Sequence, residues 1–287
     1  MNKHIRSLAL LPALSLLAGC AAVGTGLQIA GGLTGQKTLA SAGKSVARAD
    51  EVENFGPEEK YYTGRTVAAQ LLQGEKASTD MNLEAYVNRV GNAVALASGM
   101  AELPHGWHFV LLEDAEPNAY ACPGGLIFVS KGLVKLCQNE DELAGALAHE
   151  VSHIALDHPM SAISAANKKA ALMSLAEFGL AEATKGKNLQ GLTQSFDGVV
   201  KEVGKAVSHG YDREKETQAD KAAVTMLVEL GYDPRGLKRV LERLKAGDKS
   251  HGDPQLRAKA VEQAAYDLEP VPELLAARTA RFKEEVK

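Results

Sequence analysis

Five residues, His149-Glu150-Val151-Ser152-His153, constrain this chain more than any other feature. Residues four apart on an α-helix lie on one face, about one turn from each other. A helix here therefore brings two imidazoles within reach of one metal ion. Glu150 then stands beside that ion, where a carboxylate can take a proton from a metal-bound water. A metal-dependent peptidase uses these groups at this spacing. The flanks favour the helix. Asn139 is a good N-cap, with Glu142 three residues later as in a capping box. Glu140, Asp141 and Glu142 place negative charge in the first turn, where it suits the helix dipole. From Leu143 to Asp157 the chain is Ala- and Leu-rich and broken only by Gly145, and Pro159 predicts its end. Ala144, Gly145, Ala146 and Ala148 carry little bulk, so neighbouring elements can approach closely. Two imidazoles and a carboxylate on so apolar a helix imply a purpose, because ionisable groups are costly to bury without one.

A peptidase zinc has three protein ligands and one open position for water. The extended motif with a third His after Gly is absent: Leu156 stands at the Gly position and Pro159 at the His position. The third ligand must come from another helix. In Arg213-Glu214-Lys215-Glu216-Thr217-Gln218-Ala219-Asp220, the face through Glu216 continues to Ala219, Asp220, Ala223 and Leu227. That stripe reads as buried, with Glu214, Gln218 and Lys221 on the wet face. An inward carboxylate needs a cation, so Glu216 is the expected third ligand. Asp220, one turn on, is placed to accept a ring N–H of a ligating His, His149 first.

These segments resemble metallopeptidase family forty-eight, the group of the CAAX prenyl proteases, the HtpX-type heat-shock proteases and the periplasmic lipoprotein proteases. The matching stretches are 58–65, 86–91, Asn118-Ala119-Tyr120-Ala121-Cys122-Pro123-Gly124-Gly125, 142–158 and 213–220. The resemblance covers roughly 57–245. The resemblance implies an α+β, mainly helical, gluzincin-like domain with a small β-sheet beside the zinc helix. It also implies one zinc per chain on His149, His153 and Glu216, Glu216 being the Glu of an Arg-x-x-Glu-x-x-x-Asp helix. Three positions depart from the pattern. Asp212 stands where Ser is common, and Cys122 where a small or apolar residue is usual. A Thr-His-Pro whose His can cap the metal is replaced by Ser250-His251-Gly252-Asp253-Pro254, with His251 off the usual spacing. Whether His251 or another group caps the metal stays open at this level.

The N-terminus reads as a processing signal. Lys3 and Arg6 precede a short apolar core, Leu8 to Leu17, and Leu17-Ala18-Gly19-Cys20 looks like a lipoprotein signal-peptidase box. The expected organisation is a signal peptide over 1–19, a lipidated flexible tether over 20–45 beginning at Cys20, a metallopeptidase domain over 46–268 and a charged, partly disordered tail over 269–287. Ala21 after the Cys favours the bacterial outer membrane by resemblance to sorting rules, with lipid as anchor on the periplasmic side. No other stretch is long and apolar enough to span a bilayer; Glu177 and Glu182 interrupt the one over 170–183. Thirty-two basic against 36 acidic residues, net charge −4, give no electrostatic reason for a nucleic-acid partner.

Helical periodicity is strong over 58–72 and 83–98, and helices are expected again at about 189–207, 211–230, 234–246 and 255–266. Trp107 to Glu113 and Gly125 to Ser130 read as strands. The second of these, just before the zinc helix, is the expected sheet edge on which an extended substrate adds as a strand. Asn118 fits either one end of that cleft or a turn after Pro117. Tyr211, His209 and Arg213 are the candidate oxyanion donors, by nearness to Glu216. Cys122 and Cys137 allow a disulfide in an oxidising periplasm, against two buried thiols or one thiol beside the active site. The chemistry expected is peptide hydrolysis, with Glu150 as general base on a zinc-bound water and Asp220 in support. By family analogy the substrates are unfolded or misfolded envelope proteins, with a link to outer-membrane assembly machinery. The alternatives are a periplasmic chaperone or assembly factor with latent proteolysis, and a structural zinc protein.

Overall fold

The computed structural model describes residues 55–100, 103–166, 210–244, 251–268 and 270–286, with 28 and 207 as isolated positions. The expected signal with Cys20, all of the expected tether but residue 28, His209, and all but Val207 of the expected helix over 189–207 lie outside the described residues. The chain divides into two compact units. One comprises 1–55 and 160–202, of which the described part is residues 28, 55 and a helical run over 160–166. The other comprises 56–159 and 203–287 and carries the motifs above.

In that second unit, α1 (Pro57–Leu71) and α2 (Met81–Leu96) precede strands β1 (His108–Leu112), β2 (Ala119–Cys122) and β3 (Leu126–Ser130). A short α3 (Lys131–Leu136) leads to α4 (Glu140–Ala155), followed by α5 (Arg213–Glu229), α6 (Gly236–Arg243), α7 (Pro254–Ala264) and α8 (Pro272–Glu285). The fold is mainly helical with one small sheet, as the sequence predicts. Asp80 caps α2 by accepting from Leu83 N, and Leu83, Tyr86, Val87, Val90 and Val94 form its buried stripe. Among the described residues no helix is long and apolar enough to cross a membrane.

The sheet order is β1-β3-β2, with β1 parallel and β2 antiparallel to β3. The strand expected at the edge, 125–130, is therefore the centre: β3 is hydrogen-bonded on both sides and has no free edge for an added strand. The edge nearer the motif helix is β2, which the sequence hides. Ala119, Tyr120, Ala121 and Cys122 are all buried, so the alternation that marks a half-exposed strand is missing. Residues 76–78 cover part of the opposite edge, with Ser78 N donating to Leu111 O at 2.7 Å and Glu113 N to Lys76 O at 2.8 Å.

The motif helix α4 is buried along its length from Glu140 to Ile154. Asn139 caps it, accepting from Glu142 N at 3.0 Å, while Glu142 Oε2 reaches back to Gln138 N at 2.7 Å. It ends at Ala155, four residues before Pro159. Leu156 caps it and Asp157 takes a left-handed φ of 58°. The turn ends the helix and Pro159 falls in the next helical run, where a proline near the start costs no hydrogen bond. Gly145 and Gly236 set the spacing of α4 and α6. A Cβ on Gly145 would lie 2.4 Å from Leu237 N, and one on Gly236 would lie 2.2 Å from Asp141 O. Backbone meets backbone, and any other residue would push the helices apart.

The three acidic residues that open α4 are buried, and each meets arginine. Arg239 Nε donates to Glu142 Oε1 at 3.1 Å, and Arg243 pairs with Glu142 as well. Arg278 forks onto Asp141, with Nε donating at 3.1 Å and Nη2 at 2.8 Å. Arg281 pairs with Glu140, which also accepts from the Tyr86 and Tyr232 hydroxyls at 2.9 Å and 3.1 Å. Arg278 and Arg281 belong to the stretch expected to be a loose charged tail. That expectation fails: 272–285 is helix α8, with Arg278 and Phe282 buried. Its charges read as solvated in isolation because their counter-ions sit more than 130 residues away.

Candidate metal centre

His149 and His153 project from one face of α4, and their Nε2 atoms lie 3.0 Å apart. Helix α5 brings Glu216 to the same point. Asp212 caps that helix by accepting from Glu214 N and Lys215 N, the task a Ser would do there. The next turn is thereby aimed inward, with Glu216, Ala219, Asp220, Ala223 and Leu227 buried. Glu216 Oε2 is 3.3 Å from His149 Nε2, and Oε1 is 3.7 Å from His153 Nε2. His251 completes the group, with Nδ1 at 3.4 Å from Glu216 Oε2 and Nε2 at 3.7 Å from Glu150 Oε1. One donor atom from each of His149, His153, Glu216 and His251 fits within a 4.8 Å span.

This cluster fits a zinc ion. Four ligands about 2.0–2.1 Å from a tetrahedral zinc stand roughly 3.3 Å from one another, close to the separations seen. Three atoms here also lack a hydrogen-bond partner. Glu216 Oε2, Glu150 Oε2 and His251 Nδ1 are buried and make no hydrogen bond, although nitrogens stand at ion-pair distance from Glu216 Oε2. Buried polar atoms without partners are rare unless something is meant to meet them.

The surrounding groups fix the rings. His149 Nδ1 lies 3.0 Å from Asp220 Oδ1, so Nε2 is the atom turned to the cluster. His153 Nδ1 lies 2.8 Å from His158 Nδ1, whose Nε2 lies 3.2 Å from Gln218 Oε1. Arg257 forks onto Asp220, with Nε donating at 3.0 Å and Nη2 at 2.6 Å, and donates from Nη1 to His251 O at 3.1 Å. It thus ties α7, α5 and the His251 stretch together. Burial and the Arg257 charge depress His149, but the Asp220 and Glu216 carboxylates prevail and raise it to about 9. Burial, then the neighbouring His149, holds His153 well below its ordinary value. Burial would raise Glu216, yet the imidazoles of His149 and His251 hold it far below the usual carboxylate range. Burial likewise opposes ionisation of Asp220, but Arg257, then His149, brings it to about 2.

The other expected site residues divide. Asn118 is half-buried and lines the same cavity as His149 and Glu150. Its Oδ1 accepts from Ala119 N at 2.9 Å, at the start of β2. Tyr211 stands over His153, ring centroids 4.7 Å apart, and its backbone N donates to Glu216 Oε1 at 2.8 Å. Its hydroxyl is buried without a hydrogen-bond partner. Burial, with Cys122 and the carboxylates of Glu150 and Glu216 adding, pushes that hydroxyl well above its ordinary pKa. Arg213 is not in the site. It is exposed at the start of α5 and shares an outer stripe with Thr217 and Lys221, one and two turns on. Cys122 and Cys137 are both free and buried. His158, Arg257 and the approach of His251 have no periodic or spacing signal in the sequence, since each acts across a turn or between helices.

Residues 82–265 match the sequence pattern described as Peptidase family M48. The chain is 30% identical over 167 residues to the mitochondrial metalloendopeptidase OMA1 of Schizosaccharomyces pombe, covering 58% of this chain and 45% of that one. It is 27% identical over 178 residues to the beta-barrel assembly-enhancing protease of Escherichia coli, covering 61% of this chain and 35% of that one. Metalloprotease YcaL of Escherichia coli is 29% identical over 245 residues, 84% of this chain and 86% of the relative. The chain spans less than half the length of the first two.

Proposed function

The chain belongs to peptidase family M48, a family of zinc metallopeptidases, and we propose that it is a zinc-dependent endopeptidase of the bacterial envelope acting on unfolded or misfolded proteins. The observation that carries the catalytic reading is the convergence of His149, His153 and Glu216 with Glu150 alongside. His149, His153 and Glu216 would hold the zinc, with His251 as a fourth donor or a gate, and the ion would supply a Lewis acid that acidifies water and polarises a carbonyl. Glu150 takes the proton of the attacking water and passes it to the leaving amine. Asp220, gripped by Arg257, keeps His149 in the tautomer that presents Nε2. The Tyr211 hydroxyl, protonated at neutral pH and without another partner, is the best-placed donor for the developing oxyanion.

Edge strand β2 supports binding of extended chains. Its Ala119 end reaches the cluster, with Ala119 O 3.4 Å from His251 Nε2. A substrate strand added there is read through its backbone, which favours unfolded segments over folded ones. The envelope setting rests on the Cys20 box and on the name of the assembly-enhancing relative. Lipid at Cys20 would hold the domain at the outer membrane; Cys20→Ser should move the protein out of the membrane fraction.

The test is Glu150→Gln, assayed on casein and on unfolded outer-membrane barrel protein with zinc content measured in parallel. Zinc should be retained and cleavage should fall by about 10²–10⁴, the usual worth of a positioned general base. Wild-type turnover in that variant would remove Glu150 from the mechanism. Full envelope function without turnover would instead favour a holding or assembly role.

A further inference from the structure

His158 stands between a metal ligand and the surface, and the hydrolytic machinery does not account for it. Just after α4 ends, Asp157 turns the chain at a φ of 58°, and Lys60 Nζ donates to Asp157 Oδ2 at 2.9 Å. The turn folds His158 back on the helix, where it is buried with its Nδ1 2.8 Å from His153 Nδ1. Its other nitrogen, Nε2, lies 3.2 Å from Gln218 Oε1 on α5. Gln218 Nε2 in turn donates to Glu214 Oε1 at 3.4 Å, one turn back on the same helix. Gln218 and Glu214 are exposed, on the face of α5 that the sequence assigns to water. The row Glu214, Gln218, His158, His153 thus runs from the surface to the cluster.

We propose that Glu214 and Gln218, acting through His158, fix which ring nitrogen of His153 is free to bind the metal, so that all three are positioning residues of the site. The inference rests on the zinc reading above. Each contact in the row holds one proton, so the order can be followed from either end. A neutral imidazole has one N–H and one lone pair. His153 turns Nε2 to the cluster, 3.0 Å from His149 Nε2. A metal needs the lone pair there, so the His153 proton sits on Nδ1 and is donated to His158 Nδ1. His158 then carries its own proton on Nε2 and needs an acceptor, which Gln218 Oε1 supplies. The outer end gives the same order. A carboxylate only accepts, so Glu214 draws the amide nitrogen of Gln218 and leaves the carbonyl facing His158. His158 alone decides nothing, because its ring can donate or accept at either nitrogen. His149 needs no such row, since Asp220 Oδ1, 3.0 Å from its Nδ1, is itself acceptor-only.

The test varies Gln218, whose exposed position can change without disturbing the core. Proton placement is read by NMR of the full chain carrying isotope-labelled histidine, with and without zinc. Zinc affinity is read by competition with a chromogenic chelator. In the wild type the His158 proton should sit on Nε2 in both forms, and the His153 proton on Nδ1 in the zinc-loaded form. Gln218→Glu, acceptor-only, should keep that placement and bind zinc at least as tightly. Gln218→Met, which offers neither a strong donor nor a strong acceptor, should bind zinc about tenfold more weakly. Gln218→Lys, which only donates, should move the His158 proton to Nδ1 and weaken zinc binding about 10–100-fold, the range that partners behind metal ligands are worth. Thr217→Lys places the same charge one residue away and should move neither readout. A merely structural role would rank the variants by melting temperature and leave the ring protons where they were. A His158 proton on Nδ1 in the wild type, or equal zinc affinities in Gln218→Glu and Gln218→Lys, would overturn the proposal. The expected His158 proton in a chain that takes up no zinc would leave the row standing and refute the metal reading instead.

Discussion

Arg278 offers a sharp test of what holds the motif helix in place. Its guanidinium is buried and makes a two-pronged contact with Asp141, a residue with no exposed surface at the first turn of α4. It also donates to Gly231 O at 2.9 Å and lies 4.5 Å from the Tyr232 ring centroid. Arg278→Ala would leave the Asp141 carboxylate buried with one described donor, the backbone N of Asp233 at 2.8 Å. Removing one partner of a buried pair costs about 3–5 kcal/mol, because the remaining charge is stranded. For a domain of this size each kcal/mol lowers Tm by about 2–4 °C, so the expected drop is roughly 6–20 °C, read by circular dichroism at fixed zinc. Arg281→Ala is the control. Its side chain is 51% exposed, and Glu140 keeps the Tyr86 and Tyr232 hydroxyls, so the loss should be about 1 kcal/mol. Replacing Arg278 and Asp141 together by apolar residues of similar volume should recover most of the loss. Equal small losses at 278 and 281 would refute the reasoning and return the C-terminal stretch to a loose tail.

The Glu113 carboxyl, held by the Lys131 ammonium and then by Ser78, is lowered from 4.5 to about 2. Its contribution to stability is therefore present above pH 4.5 and lost as pH falls toward 2; an NMR titration should find its midpoint near 2 in the wild type and higher in Lys131→Ala. Burial pushes the Cys122 thiol up to about 12 and raises Cys137 also. At pH 8 both should resist iodoacetamide in the folded protein and react on unfolding, and a disulfide-linked peptide in the mass map would contradict the free pair.

Much of the site is legible in the sequence because helical spacing carries it. The i, i+4 histidines, the Asn139 cap and the stripe through Glu216 and Asp220 are one-dimensional facts about single helices, and α4 and α5 realise them as written. What spacing cannot carry is pairing between distant elements. Burial on all four residues of β2 erased its alternation, so β3 read as an edge although it lies at the centre. The arginines of α8 looked like a solvated tail because Glu140 and Asp141, their partners, belong to another helix. Arg257 and His158 are single polar residues whose meaning appears only when α7 and the Asp157 turn carry them to Asp220 and His153. Arg213 shows the converse: nearness in sequence to Glu216 suggested a shared role, but it lies on the outer stripe of the same helix.

The central claim is that His149, His153 and Glu216 hold one zinc. Crystals of the zinc-loaded chain, measured at the zinc absorption edge, test it directly. A single anomalous peak is expected about 2.0–2.2 Å from His149 Nε2, His153 Nε2 and a Glu216 carboxylate oxygen, absent from Glu216→Ala. A peak elsewhere, or one that persists unchanged in that variant, would contradict it.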